Sequence, residues 1–575
     1  MVTNRWNIKT TNSQLAAELA EELDVPRAVA TVFIGRGLDT KAKIDTFCKL
    51  GMQHVHEPWT LPDLKPAIQR LIKALDSGER IYVHGDYDVD GVTSTAVVAH
   101  TLKTLGANFN YNVPHRLDDG YDIKRHIIDR AIEDGATLLM TVDCGIRAMD
   151  PVKYAKEKGI DVIITDHHHP SDDDEVPDCV AVINPNRLDS TYPFNGLAGV
   201  GIAFKVMLAL AALRGADVLK LRDELLEFVA LGTVADVAPM IDENRSLVFM
   251  GCQQMMTSKW PGVVELLSNA GVKTVSTTSI GYFLGPRINA IGRVADARSA
   301  LDLLLTTQSD RAKYFVNILE TANHRRKDQQ AQAEAEAIAL IEENKWDQDD
   351  ILVVAAKGWH SGIVGLVAGK MAERYGRPAL VMTINDDGTA RGSARSTRHF
   401  HILDALNDKN IKPIFHKYGG HAFAAGFDLN AASIPQLRTN LNLYAKDKDG
   451  IEHEKVIDID AILPAGDITA RTLEGIEPML PFGSGNPEPC FLSRRLNVLE
   501  SKVLGADGKH LRLQLQGSSQ YDPKVKAMYW RRGDMQEKFS VNTKVDVVFK
   551  LSLEEWQGRT TLQMTVEDMK LSETA

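Results

Sequence analysis

At 575 residues the chain has room for roughly three or four compact domains, and a sizeable core is no obstacle. Apolar residues make up 44% and charged residues 25%, and no apolar run approaches the roughly 18 residues of a membrane span, which excludes a miniprotein and a helical membrane protein. A formal charge of −11, from 66 basic and 77 acidic residues, argues against nonspecific coating of nucleic acid, but it leaves room for a local basic groove.

The first 60 or so residues read as short helices (14–23 and 41–47) that end in the turn-rich EPWTLPDLK. From there short apolar strands alternate with amphipathic helices. IYVHG (81–85), NFNYNV (108–113), TLLMTVD (137–143), DVIITD (161–166) and VAVINP (180–185) are the expected strands. Helices are expected near 92–104, near 124–134, up to about 158 and through 199–230. This alternation predicts a parallel, helix-covered sheet. Residues 309–344, charged and rich in Ala, Gln and Glu, predict a long and largely exposed connecting helix. ILVVAA (351–356), a helix over 361–375, PALVMTI (378–384) and two glycine-rich segments predict a second, smaller α/β unit. Beyond residue 456 five or six β-type segments predict a small barrel or sandwich, the OB fold among them. The fold class is α/β with a C-terminal OB-like β-barrel. Its expected parts are an N-terminal helical segment (1–65), a parallel-sheet domain (66–300), the connecting helix (301–345), a smaller α/β domain (346–455) and the OB-like domain (456–575).

Cys48, Cys144, Cys179, Cys252 and Cys490 form no C-x-x-C pair, and MVTNRWNIKTTNSQ carries no hydrophobic signal core. A reducing cytoplasm without structural zinc is the expectation.

His84-Gly85-Asp86-Tyr87-Asp88-Val89-Asp90-Gly91 follows an apolar strand and precedes a helix, the place where ligands sit in open α/β sheets. Alternating aspartates repel one another unless a cation joins them. An EF-hand is disfavoured, because Val97 stands where the bidentate glutamate is needed and a strand precedes the loop. Two further strands end in Asp143 and in Asp166-His167-His168-His169, and Asp236 follows a later helix. Parallel strands bring such ends to one edge. Carboxylates mixed with imidazoles favour two Mn²⁺ or Mg²⁺ ions, suited to hydrolysis of a phosphodiester or phosphoanhydride.

In the second unit, His360, Ser361 and Gly362 open a predicted helix whose N–H groups can meet a phosphate. Arg391 and Arg395 flank Gly392 and Ser393 in a predicted small-residue turn, and Gly419, Gly420 and His421 precede AFAAGF. Together these clusters fit a nucleotide backbone. Arg287 and Arg293 in GPRINAIGR are further phosphate contacts to test, and Tyr529, Trp530, Arg531 and Arg532 mix rings with cations as strand-binding surfaces do. One of those rings could equally serve the core.

HGDYDVDG, TVDCGI, TDHHHP and GTVADVAPM, in this order and spacing, resemble the four motifs of the DHH phosphoesterase superfamily. GPRINAIGR, WHSGIVGLVAGKMAERYGRPALVM and YGGHAFAAGF extend the resemblance over nearly the whole chain, to the single-strand-specific 5′-to-3′ exonucleases of that superfamily and their DHHA1 domain. The resemblance implies that His84, Asp88 and Asp143 hold one metal and that Asp90, Asp143, His167 and Asp236 hold the other, with Asp143 bridging. It implies His168 as transition-state stabiliser or proton donor and Asp166 as the residue that orients the histidines. Asp86 is treated as supporting, and His169, beyond the triplet, as a surface residue. The GGH segment and the serine-arginine segment would contact phosphates. Arg116, with Ser393 and Arg395, would hold a 5′-terminal phosphate, and Tyr121 would narrow the entrance to unpaired strands; residue type alone leaves Arg116 open to a surface role and Tyr121 to a core role.

The implied activity is release of 5′-mononucleotides from single-stranded DNA, in DNA repair and recombination, by a monomer. The implied partners are a single-strand-binding protein and a RecQ-type helicase, with no membrane involved. An oligoribonuclease, a cyclic-dinucleotide phosphodiesterase and a non-catalytic scaffold are the competing functions. The long connector and third β unit favour long strands, and the complete ligand set disfavours a scaffold.

Overall fold

The structure, a computed structural model, describes residues 4–114, 120, 122–171, 174–294, 296–398, 400–448, 455–505, 508–556 and 559–573. Its contacts divide the chain into two units, one of residues 51–453 with 483–485, the other of residues 2–50 with 454–482 and 486–575.

The chain opens in the second of these units, with β1 (Asn4–Ile8), α1 (Ser13–Leu23), α2 (Arg27–Gly35) and α3 (Lys41–Cys48). Asn12 caps α1 by accepting from the Gln14 and Leu15 N–H groups. The sequence predicts only helices here, joined in one segment to residue 65. The observed division falls at Leu50, and β1 is an additional strand.

After two short 3-10 turns the first unit runs through α4 (Leu64–Ser77), β2 (Arg80–Gly85), α5 (Val89–Thr104), β3 (Asn108–Asn112), α6 (Arg125–Glu133), β4 (Leu138–Val142), α7 (Met149–Glu157), β5 (Asp161–Thr165) and β6 (Ala181–Ile183). The five strands form a parallel sheet in the order β3-β2-β4-β5-β6. Their side chains alternate between two cores, as period-two strands buried on both faces require. Val83, Met140, Ile163 and Ile183 face α4, α5, α8 (Gly199–Leu213) and α9 (Val218–Ala235), whereas Tyr82, Leu139, Val162, Ile164 and Val182 face α6 and α7.

The connecting helix runs over Ser309–Glu343. It is less exposed than its composition predicts. Ala312, Phe315, Val316 and Leu319 pack into the core of the parallel-sheet domain, while Ala333, Ala337 and Ile341 pack into the next domain's core. That domain has β7 (Leu352–Lys357), β8 (Ala379–Ile384), β9 (Thr389–Arg395), β10 (Phe415–His421) and β11 (Ala424–Asn430), in a mixed sheet ordered β10-β11-β9-β8-β7.

In the second unit, β12 (Lys455–Ile459) pairs in parallel with β1. β13 (Ala461–Ile462) then leads into β14 (Phe491–Leu504), β15 (His510–Gln516), β16 (Val525–Tyr529), β17 (Lys544–Trp556) and β18 (Arg559–Leu571). Strands β14-β15-β16-β18-β17 close through the β17–β14 pairing into a barrel, which leaves no open edge. Leu19, Val29, Val32 and Phe33 of α1 and α2 share its core with Phe491, Leu513 and Phe549. Tyr529 lies in that core and donates to Asp568, while Trp530 is half exposed against His510. All five cysteines are free. Among the described residues no helix is long and apolar enough to cross a membrane.

Candidate metal centre

The carboxyl ends of β2, β4 and β5 lie side by side, with Gly85 opposite Val142 and Val142 opposite Thr165. Each strand runs straight into an acidic residue or a histidine at this edge. His84, next to last in β2, is fully buried. Asp88 caps α5, its side chain accepting from the Gly91 N–H at 3.1 Å. Gly91 has no alternative, because a Cβ there would come within 2.4 Å of the Asp86 backbone. Asp90, in the first turn of α5, accepts from the Gly199 and Val200 N–H groups at the start of α8, at 2.7 and 2.8 Å. Those bonds anchor a buried carboxylate to a helix N-terminus.

Asp143 follows β4 with a φ of +62°, the left-handed region that costs a non-glycine residue energy and is held here by its surroundings. Asp166, buried after β5, is spent on orientation. Its Oδ1 accepts from the His167 and His168 N–H groups and from Nδ1 of His168 at 2.7 Å, and its Oδ2 accepts from the Ile146 N–H. His167 then presents Nε2 at 3.2 Å from Oδ1 of Asp143, 3.8 Å from Asp90 and 3.9 Å from Asp236. Buried Nε2 of His167 and Oδ1 of Asp143 face each other without a hydrogen bond of proper geometry.

Three groups with metal-binding spacing emerge among the described residues: Asp90 with His167 and Asp236, Asp143 with His167 and His168, and Asp86 with Asp88 and Asp143. Asp86, read from sequence as supporting only, joins the ligand-spaced atoms. His84 lies at the same edge but in none of these groups.

Burial together forces the acids upward. Burial, then Asp88, pushes Asp90 up to about 7; burial, then Asp90 and Asp88, pushes Asp236 up to about 9; Asp143 is raised by burial and by its acidic neighbours. His167 falls to about 4 through burial and the charge of His168. Burial also opposes charge on His168, but the hydrogen bond and charge of Asp166 outweigh it and push that imidazole up to about 9. A neutral imidazole among carboxylates that repel one another is a donor set suited to hard divalent cations.

Several supporting residues escaped the sequence reading. Asn184 and Asn186, after β6, donate from their side-chain amides to the carbonyls of His168 and His167. Asn289 accepts from the Val89 N–H at 3.2 Å and so braces the first turn of α5. Burial, then the charge of Asp166, raises the Asp122 carboxyl. The only sequence signals were the N-P-N after a strand and the asparagine within GPRINAIGR.

The second α/β domain meets this edge. His421 ends β10, before a two-residue hairpin turn, and burial together with Arg147, His169 and His168 lowers its pKa. His169, expected at the surface, is exposed, and its carbonyl accepts from Arg147 Nε. Gly419 lies opposite Gly426, and Gly420, with φ +155°, leaves no space for a Cβ against Ala424 and Ala425. The serine-arginine segment, predicted as a turn, is the strand β9. Its small Gly392 faces Phe427 in the core, while Arg391, Ser393 and Arg395 share the other face. Arg395 donates to Ser393 Oγ at 2.8 Å, and both pack against Gly365.

The helix expected from residue 361 begins at Val364. The Gly362 N–H is used by His360 Nδ1 at 3.1 Å, and Ser361 lies in the turn between. Arg293 donates to the Gly362 carbonyl. Arg287 donates from Nε to Glu320 and from Nη1 to the Phe283 carbonyl. Arg116 and Tyr121 lie outside the described residues.

Known proteins are similar to this chain over nearly its whole length. Residues 80–233 match the DHH family, N-terminal domain, residues 348–447 the DHHA1 domain, and residues 459–568 the RecJ OB domain. The single-stranded-DNA-specific exonuclease RecJ of Bacillus subtilis is 35% identical, over 99% of this chain and 71% of the relative. That of Salmonella typhimurium is 33% identical, over 96% of this chain and 98% of the relative. The chain belongs to the RecJ family. The crystal structure of RecJ in complex with Mn²⁺ from Thermus thermophilus superposes with a TM-score of 0.82 at 28% identity, covering 99% of this chain and 80% of that one. The RecJ fold therefore extends across the parallel-sheet domain, the DHHA1 domain and the barrel.

Proposed function

We propose that this chain is a single-strand-specific DNA exonuclease that works from the 5′ end, releases 5′-mononucleotides and serves DNA repair and recombination. The observation that carries the reading is the convergence of Asp90, Asp143, His167 and Asp236 at one sheet edge, with Asp86 and Asp88 beside Asp143. His84, Asp88 and Asp143 would hold one divalent cation and Asp90, Asp143, His167 and Asp236 the other, Mn²⁺ or Mg²⁺. Asp86 would be an added ligand to the first. Such ions supply charge neutralisation at phosphorus and acidify the attacking water.

The chain's own residues do the rest. Asp166 keeps His168 protonated at neutral pH, so His168 offers a proton or a charged hydrogen bond to the phosphate oxygen that gains negative charge. Asn184 and Asn186 hold the backbone of the histidine pair. His421, Gly419 and Gly420 on the DHHA1 hairpin, with Ser393 and Arg395 on β9, would guide the strand's phosphates. Arg116 and Tyr121 would set polarity and exclude duplex. Trp530 offers a ring for stacking bases on the barrel. A single-strand-binding protein and a RecQ-type helicase are the proposed partners, the cytoplasm the proposed location.

The test compares 5′-labelled single strands, duplexes and dinucleotides with Mn²⁺. Single strands should yield mononucleotides; preferential cleavage of dinucleotides would contradict this function.

A further inference from the structure

The strand β3 is an unusual edge for a buried site. Its sequence, NFNYN, places three asparagines among five residues, and asparagine is a poor strand former. Two have local uses: Asn108 accepts from Arg80 Nε at 3.3 Å, and Asn110 accepts from the Tyr111 N–H at 2.9 Å. The third does something different.

Parallel pairing of β2 with β3 sets Asn112 opposite His84, the last in-register pair before the metal edge. In a parallel pair, residues in register project to the same face. The half-buried Asn112 side chain lies with its amino nitrogen, Nδ2, 3.1 Å from Nδ1 of His84, so in the orientation drawn the amide donates to the ring. The other ring nitrogen, Nε2, is buried.

We infer that Asn112 is a positioning residue for His84, fixing both the plane of the imidazole and the nitrogen that carries its proton. A neutral imidazole has one protonated and one bare nitrogen, and only the bare one binds a cation. If the amide carbonyl of Asn112 accepts from Nδ1–H, Nε2 keeps its lone pair and is a ligand. If the amino end faces the ring, Nδ1 must be the acceptor and Nε2 carries the proton, so His84 cannot ligate through it. A half-turn of the amide interconverts the two arrangements. A cation at Nε2 selects the first, and the sheet register keeps the acceptor within reach.

This inference rests on the proposed reading of His84 as a metal ligand. The test uses the full chain, stripped of metal, as wild type, Asn112→Leu and Asn112→Asp. Leucine keeps the volume without an acceptor; aspartate keeps the acceptor without a donor. Mn²⁺ affinity is measured from the free-ion paramagnetic resonance signal during titration, with thermal unfolding of the metal-free proteins in parallel. Asn112→Leu should weaken one Mn²⁺-binding step by about 10–100-fold, and Asn112→Asp should restore affinity to within about threefold of wild type. Equal Mn²⁺ affinity in wild type and Asn112→Leu overturns the inference, as does an equal loss in both variants, which would mean that the amide only packs. A wild-type protein that binds no Mn²⁺ overturns the metal reading as well, so the two failures are distinguishable.

Discussion

Nε2 of His167 lies 3.2 Å from Oδ1 of Asp143, across the carboxyl ends of two adjacent parallel strands. Neither atom hydrogen-bonds with proper geometry, and both are buried. Two polar atoms left facing each other in this way cost stability on their own. A shared cation would remove that cost.

Removing the central carboxylate separates binding from chemistry. Asp143→Ala should reduce cleavage by at least about 1,000-fold, a loss of roughly 4 kcal/mol in transition-state stabilisation. Affinity for a single strand, read by fluorescence anisotropy, should change little. Cleavage retained within tenfold would refute Asp143 as the bridging residue.

Metal-free protein should lose stability as pH rises from about 6.5 to 9. Asp236 is raised to about 9 and His168 to about 9, so both bind more protons folded than unfolded in this window, and their contributions fade as pH climbs through the folded values. Asp90, raised to about 7, acts the same way at the lower end. His167, lowered to about 4, works in the opposite direction only below its ordinary value of 6.5. Thermal unfolding midpoints across this range check the sign, and saturating Mn²⁺ should flatten the slope.

Asp166→Asn should move the alkaline limb of the kcat/KM profile to lower pH by at least about one unit, because burial then prevails over a neutral partner at His168. An unmoved limb would show that His168 protonation does not govern that limb.

The strands of the parallel sheet were legible because each is a short apolar run that ends at a polar residue, and period-two alternation then assigns Val83 and Tyr82 to opposite cores. The acidic and histidine motifs were legible because such residues rarely end several strands by accident. Other features depend on partners far away in sequence. The strand Asn4–Ile8 exists through pairing with Lys455–Ile459. GSARS reads as a turn until Phe427 is seen to fill the space over Gly392. Asn289 and Asn112 look like ordinary polar residues until the fold sets them beside Val89 and His84. The apolar stripe of the long helix was diluted by its charges, and only packing reveals which alanines are buried.

Away from the site, Lys205 pairs with buried Glu243 at 2.7 Å and also donates to the His56 carbonyl, while Tyr192 donates to Glu243. Lys205→Met should cost about 3–5 kcal/mol, because the buried Glu243 carboxyl would be left without its cation. Denaturant unfolding measures this, and a loss below about 1 kcal/mol would contradict it.

Gly199 touches the centre directly: a Cβ there would lie 2.7 Å from Oδ1 of Asp143. Gly199→Ala should therefore displace that carboxylate and weaken Mn²⁺ binding by at least about tenfold, a change of roughly 1.4 kcal/mol. Circular dichroism should stay close to wild type.

Anomalous scattering from crystals grown with Mn²⁺ would locate the cations. Two peaks should flank Asp143, one toward Asp90, His167 and Asp236 and one toward Asp88 and His84. Peaks elsewhere, or none at this edge, would contradict the two-cation centre.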